Sequence, residues 1–239
     1  NKGTSEARLA PYGIVARHGL PKLQGTYVVH EGLVRRTDGT FEEIDYSSFE
    51  DFSEAEGQGF ANKTSATTDG WIGFTDHYWM TTLIPEQGEP WQSVEKFTPK
   101  GSSDFEIYQV EVRHDVIAIA PGAATEVTTY LYAGAKEWDT IKAYETNNGI
   151  AGFVDSIDWG WFYFLTKPIF AVLHWLYGMI GNMGLSIIAL TFVLKLLVLP
   201  LAYKSYVSMA RMKELQPEME ALKERAGEDK QKLQKEMMQ

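Results

Sequence analysis

Residues 185–203 hold only three polar side chains before a bounding tyrosine: Ser186, Thr191 and Lys195. An α-helix rises about 1.5 Å per residue, so this stretch roughly matches the hydrocarbon core of a bilayer. The competing reading is a helix buried in a soluble domain. The flanking charges argue against it. Lys204, Arg211 and Lys213 follow the stretch, whereas Asp155 and Asp158 precede it. The positive-inside rule then places the C-terminal side in the cytoplasm and everything before the span outside. The whole chain divides the same way. Up to Gly160 there are 25 acids against 12 bases, a net of −13; from Trp161 onward there are 7 acids and 10 bases, a net of +3. An acidic half and a basic half on either side of an apolar block describe a protein facing two compartments.

Ahead of the span the pattern is that of strands. Residues 27–30, 105–112 and 127–132 are rich in β-branched and aromatic side chains, and several alternate in polarity. Turn signals separate them at Thr37-Asp38-Gly39, Asp69-Gly70, Pro99-Lys100-Gly101 and Pro121-Gly122. No amphipathic helix intervenes, so a β sandwich is favoured over a parallel sheet. The acidic stretch 49–57 reads as a solvated loop or short helix, because its carboxylates lack the spacing of a calcium loop. With no cysteine, neither a disulfide framework nor a thiolate metal site is available. The chain opens on Asn1 without a signal sequence and stops inside a charged helical pattern, so both ends read as cuts.

Residues 135–144 suggest a short helix and Asn147-Asn148-Gly149 a loop. Thr166-Lys167-Pro168 offers a helix start with proline near the first position. Ile169, Phe170, Leu173, Leu176, Tyr177 and Ile180 then recur at helical spacing. Lys167, His174 and the flanking tryptophans are expected on the wetter side of an interfacial helix. Gly181-Asn182-Met183-Gly184 reads as a flexible joint before the span. Beyond it, Met212, Leu215, Met219 and Leu222 repeat like a coiled-coil seam, and Pro217 is placed to kink that arm. Gly227 ends it, and Glu228-Asp229-Lys230 opens a return helix of a cytoplasmic hairpin. The expected parts are a β domain over residues 1–150, a linker and interface helix over 151–184, the span over 185–203, and the hairpin over 204–239.

Lys195 is the residue that asks for a function. A charge near mid-bilayer costs about 2.5–3.5 kcal/mol on insertion scales. The interface near Tyr203 is about 12 Å of helix away, more than snorkelling recovers in full. A water-filled recess among helices would shelter the ammonium, and Thr191, one turn earlier, extends the same polar face. The plainer alternative is an ion pair with an acid on another helix, and this span contains no such acid. A hydrated positive recess attracts acidic or polar polypeptide and lowers the cost of passing it outward, without covalent chemistry.

The motifs Asp158-Trp159-Gly160-Trp161, Lys167-Pro168, Gly181-Asn182-Met183-Gly184, Pro200-Leu201, Ser208-Met209-Ala210-Arg211-Met212 and Leu215-Gln216-Pro217 resemble the YidC/Oxa/Alb insertases. In the outer part, His30-Glu31-Gly32, Gly70-Trp71-Ile72-Gly73, His77-Tyr78-Trp79, Leu83-Ile84-Pro85 and Tyr132-Ala133-Gly134 resemble the periplasmic domain of the family's Gram-negative members. The resemblance implies an all-β periplasmic domain, a β-supersandwich similar to sugar mutarotases, then an α-helical membrane segment and a cytoplasmic helical hairpin. It implies insertion of newly made inner-membrane proteins through a hydrophilic groove, whose basic residue falls at Lys195 with Thr191 beside it. Most members of that family carry arginine at that place, so the charge is kept while bidentate recognition is put in doubt. Implied partners are nascent membrane proteins, the lipid bilayer, the ribosome and the Sec translocon components SecYEG and SecDF. Direct recognition of nucleic acid is not implied, and no cofactor is.

Two other classes compete. A sugar-converting enzyme would need an acid/base constellation, but His18, His30, His77 and His114 are scattered, and no phosphate loop, zinc spacing or nucleophile motif accompanies them. A single-pass sensor would signal through a dimerising span, which has little use for a central lysine.

Overall fold

The structure is a computed structural model that describes residues 1–23, 29–54, 60–101 and 104–226. It divides into two compact units, Asn1–Trp161 and Phe162–Gln239. That boundary falls where the charge changes sign.

In the first unit twelve strands are described: β1 (Ala7–Leu9), β2 (Tyr12–His18), β3 (Gly32–Thr37), β4 (Thr40–Asp45), β5 (Ser53–Glu54), β6 (Phe60–Ala66), β7 (Gly70–Thr75), β8 (Trp79–Pro85), β9 (Trp91–Thr98), β10 (Ile107–His114), β11 (Ile117–Ile119) and β12 (Thr129–Ala135). Two five-stranded antiparallel sheets, ordered β2-β10-β9-β6-β5 and β12-β8-β7-β3-β4, form the body, and β1 pairs with β11. Their facing sides contribute Leu33, Ile72, Phe74 and Leu83 from one sheet and Trp91, Phe97, Tyr108, Val110 and Val112 from the other. This is the sandwich that the alternating strands call for. The strand expected over 27–30 is not found in its described part, since Val29 and His30 are irregular and pairing begins at Gly32; residues 27 and 28 lie outside the described residues. Gly32 has a packing reason. A Cβ there would meet the Ile44 carbonyl at 2.5 Å and the His30 ring at 2.9 Å.

The acidic stretch begins as a short 3-10 helix, Tyr46–Asp51. It is not all solvated, because Phe49 is fully buried and stacks edge-on to Tyr108.

A second core lies on the other side of the β12-β4 sheet. Val34, Trp71, Met80 and Ile84 pack there against Ile141, Ile150, Phe153 and Val154. Helix α1 (Trp138–Asn148) is longer than the expected short helix and takes in Asn147 and Asn148. Gly149 ends it in the left-handed conformation, where glycine pays no Cβ penalty. Residues 151–161, expected as linker, instead belong to the fold. Phe153 is fully buried, Trp71 Nε1 donates to the Ala151 carbonyl at 3.1 Å, Arg36 binds Asp155 at 2.8 Å, and Trp159 Nε1 donates to the Val154 carbonyl at 3.0 Å.

In the second unit α2 (Tyr163–Ile180) contacts α3 (Met183–Ala226), burying Leu176 and Ser186. Helix α2 starts earlier than the expected proline start. Thr166 sits in its first turn with Oγ1 bonded to the Phe162 carbonyl, and Pro168 is internal. The joint before α3 is only two residues wide. Gly181 closes α2 with a positive φ, and Asn182 Oδ1 accepts the Leu185 N–H at 3.1 Å as an N-cap. Helix α3 runs unbroken through Pro200 and Pro217, so no element boundary falls at 203/204. The return helix expected after Gly227 lies outside the described residues.

Candidate functional site

Helix α3 sets out the candidate site by itself. Met183–Leu215 is long enough to cross a membrane and contains an 18-residue stretch with a mean hydropathy of 2.4. Leu196, Leu197, Leu199 and Leu201 are all more than half exposed. A helix that shows leucine on most of its circumference is made for lipid or for packing against further helices, not for water. Helix α2 is alike. Its outward side carries Phe164, Val172, Trp175 and Met179; Lys167 and His174 share the half-buried side with Ile169, Phe170 and Leu173, so these two are not on the more exposed face expected of them.

The three polar residues of the span are treated differently. Ser186 and Thr191 each donate their hydroxyl to the carbonyl four residues earlier, at 2.8 Å to Asn182 and 2.9 Å to Ile187. Their protons are therefore satisfied within the helix, and only oxygen lone pairs are left for other donors. Lys195 is exposed, on the face of Thr191 one turn on, with no ion pair or hydrogen bond among the described residues. Pro200 lacks the N–H that would bond the Leu196 carbonyl in a regular helix, one residue from Lys195. The helix thus brings together Thr191 and Lys195 about halfway along its apolar length.

Among the described residues of the outer domain the buried charges Arg35, Glu95 and Glu111 are all paired. Arg35, 3% exposed between the sheets, reaches Glu95 at 2.8 Å and Glu42 at 2.5 Å. Burial pushes the Glu95 carboxyl up, and Arg35 opposes that shift. On the open face of the other sheet Glu111 accepts from Lys96 at 2.7 Å and Arg113 at 2.5 Å. Burial would raise its carboxyl, but these two donors outweigh it and hold it below the usual range. Sequence reasoning did not single out these pairs. A charged residue on a strand reads as solvent-facing until the partner strand is known.

The histidines do not converge. His30 turns its ring to the Leu33 carbonyl at 3.0 Å, His77 stacks edge-on to Tyr78, and His114 lies 2.9 Å from Thr129 Oγ1, its pKa lowered by burial. No three histidine or carboxylate side chains among the described residues are grouped to hold a metal.

An acidic β sandwich continued into two lipid-suited helices defines a membrane protein with one large extramembrane domain. Comparison with known proteins agrees. Residues 1–172 match the family described as YidC periplasmic domain, and residues 175–239 match the family described as 60Kd inner membrane protein. The chain belongs to the YidC family of inner-membrane proteins. It is 59% identical over 249 residues to the membrane protein insertase YidC of Cereibacter sphaeroides, 57% over 239 to that of Paracoccus denitrificans, and 56% over 241 to that of a Ruegeria species. Each alignment covers the whole of this chain but only 39%, 37% and 39% of the respective relative.

Proposed function

We propose that this chain supplies the outer domain, the first groove helix and the start of the cytoplasmic arm of an insertase for newly made inner-membrane proteins. The β domain lies in the periplasm and the residues after the span in the cytoplasm, as the flanking charges require. Lys195 and Thr191 line a hydrated recess that receives polar stretches of the incoming polypeptide while its apolar segments pass to lipid. The nascent chain arrives from the ribosome, directly or through SecYEG with SecDF.

The observation that carries this reading is Lys195, halfway along the apolar stretch and without a partner among the described residues. An ammonium facing lipid costs about 2.5–3.5 kcal/mol, and water or a polar substrate in a recess removes most of that penalty. The work is electrostatic, so the charge matters more than the shape of the group that bears it. In cells depleted of their own insertase, the intact protein with Lys195→Ala fails to restore growth, whereas Lys195→Arg restores it. Equal rescue by the alanine variant and the parent contradicts the recess. A photocrosslinker at Thr191 captures nascent membrane proteins; capture only of a second copy supports the sensor instead.

A further inference from the structure

Strand register divides the outer domain into two ends. In the β12-β4 sheet, Gly32, Asp45, Thr75, Trp79 and Ala135 stand at one end, and Thr37, Thr40, Gly70, Pro85 and Thr129 at the other. The chain leaves the domain at the first end. The Asp158 carboxylate accepts the His30 N–H at 2.6 Å and the Gly160 N–H at 2.9 Å, and Trp161 comes next. The other sheet joins the same end, where Arg17 binds Asp76 at 2.8 Å and the Gly19 N–H donates to the Glu106 carbonyl at 2.7 Å.

This exit end presents large apolar side chains to the outside: Leu20, Leu23, Tyr78, Trp79, Phe105 and Trp161. Tyr78, Trp79 and Trp161 are 65, 62 and 90% exposed. Single exposed apolar residues are ordinary on any protein; six from four separate segments gathered at one end make a surface. The opposite end also exposes apolar side chains, Leu9, Tyr12, Val116, Tyr130 and Leu131, but it has no exposed tryptophan among the described residues, and its turn tips carry Asp38, Asp69, Glu86 and Glu89.

We propose that this rim is a membrane-docking surface, resting in the headgroup region of the outer leaflet with the Tyr78-Trp79 turn at its centre. The inference rests on the membrane reading above. The chain continues from Trp161 into the lipid-suited helices, and the exposed aromatic rings of this end are of the kind a headgroup layer accepts. Trp and Tyr rings suit that depth, being apolar in body and polar at one edge. Glu31, Asp45, Asp76 and Asp158 share the end with Arg17, His30 and Lys136, so the attraction is not that of a cationic patch for anionic lipid. The matching partner is a zwitterionic headgroup layer.

The absence of cysteine makes the test clean. The full chain is placed in phosphatidylcholine nanodiscs with a single cysteine at Trp79, Tyr78, Glu89 or Leu196, each carrying an environment-sensitive fluorophore. A lipid-borne doxyl quencher is expected to lower emission at 79 and 78 at least about twofold, as for other interfacial groups, and to leave 89 unchanged. Replacing a third of the lipid with an anionic one leaves this pattern unaltered. Quenching of 79 and 78 by aqueous iodide but not by doxyl lipid overturns the docking surface, as does protection from both, which would mean a protein covers the rim. If position 196 also escapes the lipid quencher, the membrane reading itself has failed.

Discussion

The two halves of this molecule treat charge among apolar neighbours in opposite ways. In the outer domain Arg35 meets Glu95 and Glu42, and Glu111 meets Lys96 and Arg113, so each fold-internal charge is answered by another from the same domain. In the long helix Lys195 has no such answer among the described residues. A paired charge between sheets belongs to the architecture, and removing one member leaves the other stranded. An unanswered charge in a span adds nothing to the stability of its helix and raises the cost of insertion. The proposed recess would account for such a charge by what comes to it from outside.

This contrast can be broken from either side. The largest effect is expected at Arg35→Met, which strands Glu95 between the sheets and costs about 4 kcal/mol of outer-domain stability in denaturant unfolding. A cost below about 1 kcal/mol would show that the pair is not held dry. Phe153→Ala is expected to cost about 3 kcal/mol by emptying a fully buried ring site. Were residues 151–161 only a linker, the same change would leave unfolding where it was. Lys195→Met has the opposite sign: insertion of the span becomes easier by about 2.5 kcal/mol in a translocon assay, yet activity is lost.

The smallest effect concerns acid. Asp38 accepts backbone N–H groups of Thr67, Thr68 and Asp69, which holds its carboxyl down at about 2. A lowered carboxyl contributes stability that is complete above its ordinary value of 3.8 and is lost as pH falls through about 2. Asp38→Asn is expected to flatten the acid limb of the stability profile in that window, because it removes already at neutral pH the stability that the parent loses only in acid. An unchanged acid limb would show that the Thr67–Asp69 amides do not hold the ionised form.

The span and the strands over 105–112 and 127–132 were readable because each announces itself locally, by an apolar run or by alternation. Residues 151–161 were not. Phe153, Val154 and Ser156 sit in a single 3-10 turn, too short for any period to show, and only the groove between α1 and the sheet makes them core. Arg35 and Glu95 escaped for the same reason, being 60 residues apart in sequence and joined only by the stacking of two sheets. Helix α2 misled in another way. Its apolar residues cover both faces, so the selected stripe was real but the opposite face was no less apolar. Lys195 and Thr191 were legible because a lysine inside an apolar run is costly wherever the helix goes.

The most direct test asks whether water reaches position 195. The intact protein, in membranes, is given single cysteines at Lys195, Leu196 and Leu197 and treated with a membrane-impermeant, positively charged thiol reagent, which reacts only with a hydrated thiolate. The account predicts rapid labelling at 195, with 196 and 197 nearly inert. Equal inertness at all three positions would contradict it.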